Sequence, residues 1–131
     1  MSTQHKIAIV GVMSLDDFKK HTIAIAKGEY KPKKDEPKIW FNSIKSLAHV
    51  LSEENRHLLK LIIEQKPQSV SELEPLTGRK ANNLLRTLRT MEHYGFVTLN
   101  KSTEKRKGRS SLIPQAIYDM VDIKLNFCYS W

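Results

Sequence analysis

The residues best suited to chemistry stand close together in this chain. Lys80, Asn82, Asn83 and Arg86 fall within seven positions, followed by Arg89 and Thr90. Arg carries a planar fork of donors and Asn a donor beside an acceptor, which match guanine and adenine edges bidentately. Further on, Lys101-Ser-Thr-Glu-Lys-Arg-Lys-Gly-Arg109 has no apolar residue. Its Lys101, Lys105, Arg106, Lys107 and Arg109 suit phosphates or a minor groove. Ser71, Thr77 and Arg79 stand near expected helix ends, which often touch a nucleic-acid backbone. Each residue also has a plainer use. Arg89 can pair with Glu92 three residues on. Asn82 and Asn83 can merely weaken an exposed helix face, and a charged hairpin tip can simply be solvated.

Charge separates these readings. The 131 residues include 22 Lys+Arg and 14 Asp+Glu, a formal net charge of +8. Residues 79–109 hold 9 basic and 2 acidic residues, a net of +7 in 31 positions. Residues 1–38 carry +3, and residues 39–78 and 110–131 carry −1 each. Such concentration is the footprint of a phosphate-binding face. Apolar residues at 40% and charged residues at 27% fit a soluble globular chain of one compact domain. No apolar run approaches the roughly 18 residues of a membrane span. Met1 to His5 lacks the layout of a signal peptide, so a cytoplasmic protein is expected. The single Cys128 forms no intramolecular disulfide and no cysteine metal cluster.

The elements that must position these residues read as follows. Residues 6–13 are β-branched and apolar, and predict a strand. Ser14 reads as an N-cap with Asp16 and Asp17 in the first turn. The helix it opens runs to about Lys27, with Leu15, Phe18, Thr22 and Ile25 on one stripe, and Gly28 ends it. Glu29–Pro37 reads as a solvated linker. After Ile39-Trp40-Phe41, Asn42 or Ser43 caps a short helix with a Leu47 stripe. Ser52 opens the next helix, which Leu58, Leu59, Leu61, Ile62 and Ile63 make apolar around much of its girth. That predicts a central core helix, with His57 a half-buried structural residue beside Leu58.

Two capping boxes then overlap, Ser69 with Glu72 and Ser71 with Glu74. Pro75 favours Ser71 as the cap, because its missing N–H then falls at the edge of the first turn. Thr77-Gly78 makes a tight turn. A longer helix runs from Arg79 or Lys80 to Tyr94, with Leu84, Leu88 and Met91 inward, Leu85 flanking and Gly95 closing it. Residues 96–100 predict a strand, 101–109 a hairpin loop and 110–113 the returning strand. Val121, Ile123, Leu125 and Phe127 alternate with polar residues, which predicts a strand with one buried face.

This order of elements is that of a winged helix-turn-helix in an α+β chain, with an N-terminal β-α extension and a C-terminal strand. The expected parts are residues 1–38 (strand, helix and linker), 39–115 (winged helix-turn-helix) and 116–131 (C-terminal strand and tail, a dimer or partner contact). The long helix would enter a major groove, with Lys80, Asn82, Asn83 and Arg86 nearest the bases. The stretch from Ser69 to Val97 resembles the recognition core of MarR-like winged-helix predicted transcriptional regulators of bacteria and archaea. It is most similar to a small group with an N-terminal strand and helix and a closing strand like Ile117–Leu125. Gly78, Arg79, Asn83, Arg86 and Gly95 match that pattern; Leu85 departs from it, since a polar residue is usual there. The resemblance implies a cytoplasmic regulator of double-stranded DNA, often a dimer. Some members look like antitoxins that repress their own operon.

Other classes fit less well. The five histidines are scattered, and none has metal-ligand spacing with Cys, Asp or Glu. There is no Gly-rich phosphate loop and no Ser/His/Asp signature. No enzyme activity, cofactor or metal is therefore expected. Few aromatics interleave with the basic stretch, which counts against single-stranded RNA. The leading expectation is an autoregulatory, homodimeric DNA-binding repressor. The alternative is an antitoxin that also neutralises a toxin protein through strand-like flanks, residues 6–27 and 116–131.

Overall fold

The structure, a computed structural model, describes residues 6–106 and 109–126, with the backbone alone at 102–106 and 109–111. His5, Lys107, Phe127 and Cys128 lie outside the described residues, as do the side chains of Lys105, Arg106 and Arg109. The chain is mixed α+β. In order it forms β1 (Ile7–Val12), α1 (Leu15–Ala26), β2 (Ile39–Phe41), α2 (Ile44–Val50) and α3 (Glu53–Gln65). A 3-10 turn over Val70–Leu73 leads to α4 (Glu74–Thr77) and α5 (Ala81–Tyr94). β3 (Val97–Arg106), β4 (Arg109–Ala116) and β5 (Met120–Lys124) complete it.

Local chemistry sets the helix ends. The hydroxyls of Ser14, Ser43 and Ser52 accept the N–H groups of Asp17, Ser46 and Asn55 at 3.2, 3.0 and 3.2 Å. Each cap satisfies a donor that the first helical turn leaves unpaired, worth about 1 kcal/mol. At the C-termini, Gly78 and Gly95 take φ of +73° and +91°, where a side chain would be strained. Ser69, not Ser71, caps the turn before α4. Its Oγ accepts from the Glu72 N–H at 3.3 Å, and Glu72 Oε2 accepts from the Gln68 N–H at 3.0 Å. Pro75 instead starts a helical turn of its own, at the first-turn position of α4 where its lack of an N–H costs nothing.

Two sheets frame the molecule. One has the order β2-β1-β5, with β1 parallel to both neighbours; the other is the antiparallel pair β3-β4. Val10 is the register partner of Ile39 on one side and Ile123 on the other. A central parallel strand needs a nearly continuous apolar run, which β1 supplies. Gly11 is required there by close approach. A Cβ at Gly11 would lie 2.6 Å from Trp40 Cζ3 and 2.8 Å from Pro37 Cγ. Both neighbours are rigid rings, so Gly11→Ala is expected to cost about 1–3 kcal/mol by overpacking. Urea denaturation checks this; an unchanged midpoint would show that the rings move aside freely.

The structure departs from several of the expectations above. The Glu29–Pro37 segment is not solvated throughout, because Glu36 and Pro37 are buried. Glu36 is held by the Tyr30 hydroxyl, 2.5 Å from Oε1, and by the Lys33 N–H, 3.0 Å from Oε2. His21 Nε2 lies 3.7 Å from the same carboxylate. The Tyr30 phenol is pushed up to about 12, first by its hydrogen bond to Glu36, then by burial and the nearby carboxylates. The core face of α2 is Leu47 and Val50, while Ile44 is 60% exposed. α3 buries only Leu58 and Ile62, so it is one-sided rather than central, and His57 is exposed. β5 has no buried residue, against the expected buried face: its Val121 and Ile123 line an open groove rather than a packed layer. The supposed loop 101–109 is mostly strand: β3 and β4 pair up to Arg106 and Arg109, with an irregularity between Lys101 and Lys105.

One core joins these pieces. Val10 of β1, Phe41 of β2, Leu58 of α3, Leu73 of the 3-10 turn, Leu84 and Leu88 of α5, and Phe96 belong to a single buried cluster. Phe41 stacks on Tyr94 with ring centroids 4.3 Å apart, and on Phe96 at 6.2 Å. These rings fasten β2 to the end of α5.

Candidate nucleic-acid interface

The candidate surface is built on α5. Leu84, Leu88 and Met91 are each 0% exposed. At about 100° per residue, that stripe directs Asn82, Arg86, Arg89 and Thr90 to the opposite side. All four are exposed, as are Lys80 and Asn83. Lys80, Asn82 and Arg86 make no side-chain hydrogen bond among the described residues. Thr90 Oγ1 donates to the Arg86 carbonyl at 3.2 Å, an ordinary helix back-bond. Leu85 is half-buried at the margin of the face.

The other expected contacts are partly engaged inside the protein. Arg79 Nε donates to Asn83 Oδ1 at 2.7 Å, Nη1 to Asn55 Oδ1 at 3.3 Å, and Nη2 to Thr87 Oγ1 at 2.5 Å. A guanidinium has five N–H groups, so one remains on each Nη. Asn83 has an acceptor already in use, which leaves its amide N–H groups for an outside partner. Thr77 Oγ1 donates to the Leu73 carbonyl at 2.7 Å and accepts from the Arg79 N–H at 3.1 Å, so it serves the turn. Arg89 Nη1 lies 3.3 Å from Glu92 Oε1, the pairing that its spacing allows. Ser71 and Lys101 are exposed. On the β3-β4 ribbon Arg106 stands opposite Arg109, and Lys105 opposite Ser110.

Two positioning residues, Asn55 and Thr87, escaped the sequence reading, and Glu74 has another partner than the Ser71 its spacing suggests. Asn55 Nδ2 donates to the Val50 carbonyl at 3.0 Å and to that of His49 at 3.4 Å, satisfying the end of α2. Its Oδ1 receives Arg79. A polar chain therefore runs from α2 through Asn55 and Arg79 to Asn83 and Thr87, and sets how α5 sits against α3. Glu74 Oε2 accepts the Ala81 N–H at 3.2 Å, so it caps α5 across the turn rather than pairing with Ser71. Lys80, the N-cap of α5, provides no side-chain cap of its own. No local pattern marks these partners: Arg79 and Asn55 are 24 residues apart.

The arrangement thus presents three exposed cations, Lys80, Arg86 and Arg89, and two amides on one helix, beside a hairpin whose sequence carries five further cations. Chemically it offers donors to anionic oxygens and to base edges. No group of three or more His, Cys, Asp or Glu residues suited to a metal ion occurs among the described residues.

A family model matches residues 50–123 of this chain. The chain belongs to the HVO_A0114 family. The HVO_A0114 match covers α3, α4, α5, the β3-β4 ribbon and most of β5, and so includes every candidate contact residue. It leaves out β1, α1 and β2. No curated protein and no solved structure matches the chain.

Proposed function

We propose that this protein is a sequence-specific DNA-binding transcriptional regulator of the winged helix-turn-helix type, akin to the MarR-like regulators it resembles. The carrying observation is the exposed Lys80, Asn82 and Arg86 on a helix whose opposite side is locked by fully buried leucines. α4 and α5 with the Gly78 turn act as the helix-turn-helix, and the β3-β4 ribbon as the wing. Arg86 reads a guanine edge, Asn82 reads a base edge, Lys80 and the wing cations hold phosphates, and Arg79 chiefly orients α5. The protein works in the cytoplasm as a homodimer on a two-fold-related site and represses by occupying an operator, most simply that of its own promoter.

The test begins with binding sites selected from a random-sequence duplex pool. Arg86→Ala is expected to lower affinity for a selected site by roughly 10- to 100-fold, the worth of one bidentate base contact. On a scrambled duplex the loss is expected to be much smaller. Equal losses on both duplexes would reassign Arg86 to a phosphate contact.

A second reading, that the protein is also an antitoxin, rests on α1. That helix has no buried residue and leaves Leu15, Phe18, Ile23 and Ile25 between 37% and 59% exposed. A toxin partner would cover them. On this reading the product of an adjacent reading frame arrests growth alone and is neutralised by co-expression of this chain; a harmless neighbour removes it.

A further inference from the structure

β5 is an outer strand of its sheet, with β1 as its strand neighbour among the described residues. Its Met120, Val121 and Ile123, and Leu125 just beyond it, are 47%, 37%, 47% and 45% exposed. It holds no proline, and its pairing with β1 runs from Met120 to Lys124 without a break. Val121 and Ile123 also form one wall of an open apolar groove, with Leu51, Leu59 and Ile63 on the other side. An unbroken edge with exposed apolar residues is a template for another strand, and proteins ordinarily block or use it.

We infer that a second copy of this chain fills the edge, β5 pairing antiparallel with the other β5 about a two-fold axis at Ile123. The occupant follows from charge and register. With the axis at Ile123, each Asp122 faces the Lys124 of the other copy, Val121 faces Leu125, and Ile123 faces itself. An axis at Asp122 or Lys124 sets a charge against its own copy. An axis between residues 122 and 123 puts Asp122 and Ile123 on one face, mixing polar with apolar. Of these axes, the one at Ile123 satisfies both the charges and the apolar positions. Lys124 Nζ already donates to the Asp35 carbonyl at 2.8 Å and lies 3.9 Å from Asp35 Oδ2. An ammonium has three N–H groups, so it can serve a second carboxylate. The result is a continuous sheet of six strands with two apolar grooves meeting at the axis. The inference deepens the homodimer proposed above and rests on that oligomer; it does not depend on DNA reading.

Sedimentation of the full-length protein without DNA tests it. Wild type is expected to be dimeric at micromolar concentration. Asp122→Lys and Lys124→Asp each set like charges opposite one another at two places, and each is expected to weaken the dimer roughly tenfold or more. Mixing the two single variants is expected to restore a one-to-one heterodimer, and the double swap in one chain a homodimer. Circular dichroism establishes that each variant is folded. A second measurement does not depend on the charge variants. In a Cys128→Ser background, Ile123→Cys is expected to form a disulfide-linked dimer, since facing Cα atoms are about 4.5–5.5 Å apart. Val121→Cys is expected to cross-link with Leu125→Cys but not with itself, its own copy lying about 14 Å along the strand. A strict monomer overturns both the homodimer and the interface. A dimer indifferent to positions 122 and 124, or one that cross-links without regard to register, overturns the interface alone.

Discussion

Replacing Lys105, Arg106 and Lys107 together with Ala is expected to weaken DNA binding several hundred-fold near 0.1 M salt. Each phosphate neutralised by a cation releases counterions and adds about 0.9 to the slope of log affinity against log salt. Removing three such cations therefore flattens that slope by about 2.7, and each is worth close to tenfold near 0.1 M salt. Specific and scrambled duplexes are expected to weaken alike, because phosphates carry no sequence information. This separates the ribbon from Arg86, whose effect falls on the selected site. Stability is expected to move the other way or stay level. Positions 106 and 109 are register partners along the backbone of the ribbon, and like charges at such positions are generally destabilising. The measurements are a salt titration of binding and a thermal melt of the same samples. A slope equal to wild type would take the ribbon out of the DNA contact.

The second large effect concerns stability. Leu88 is 0% exposed at the centre of the α5 stripe, between Leu84 and Met91, which are buried as completely. Leu88→Ala removes buried methyl groups and leaves a cavity whose walls relax only in part, for an expected loss of about 2–5 kcal/mol. Total stabilities are typically about 5–15 kcal/mol, so this is a large share. Leu85→Ala, at the half-buried margin, is expected to cost clearly less. Urea unfolding followed by circular dichroism checks both, at fixed protein concentration because a dimer's stability depends on it. A Leu88 loss no larger than that of Leu85 would mean that α5 is rotated away from the described packing. In that case Asn82 and Arg86 would not face outward together.

Much of this arrangement is legible in the residues. Ser14, Ser43 and Ser52 each precede a helix and cap it, and Gly78 and Gly95 stop helices at positive φ. The α5 stripe is plain from its spacing, and with it the exposed face. The overlapping caps at Ser69 and Ser71 are not resolved by spacing. Ser71 stands at the right distance to pair with Glu74, yet that carboxylate finds a better-placed donor in Ala81 beyond the turn. The basic stretch 101–109 looks like a loop because it lacks apolar residues. Its backbone nonetheless pairs as β3 and β4, because ladder hydrogen bonds are made by the main chain and do not require apolar side chains.

What the sequence by itself determined, then, was local: caps, glycine stops, the inward stripe of α5 and the concentration of charge beside it. These follow from backbone sterics and helical period, which act over a few residues. Only the tertiary structure decided that β1 lies between β2 and β5, that Arg79 holds Asn55, Asn83 and Thr87, and that Glu36 is buried while β5 is exposed. Each of those depends on which distant groups compete for the same partner or the same space. That competition is settled by packing the whole chain at once, and no window of neighbouring residues records it.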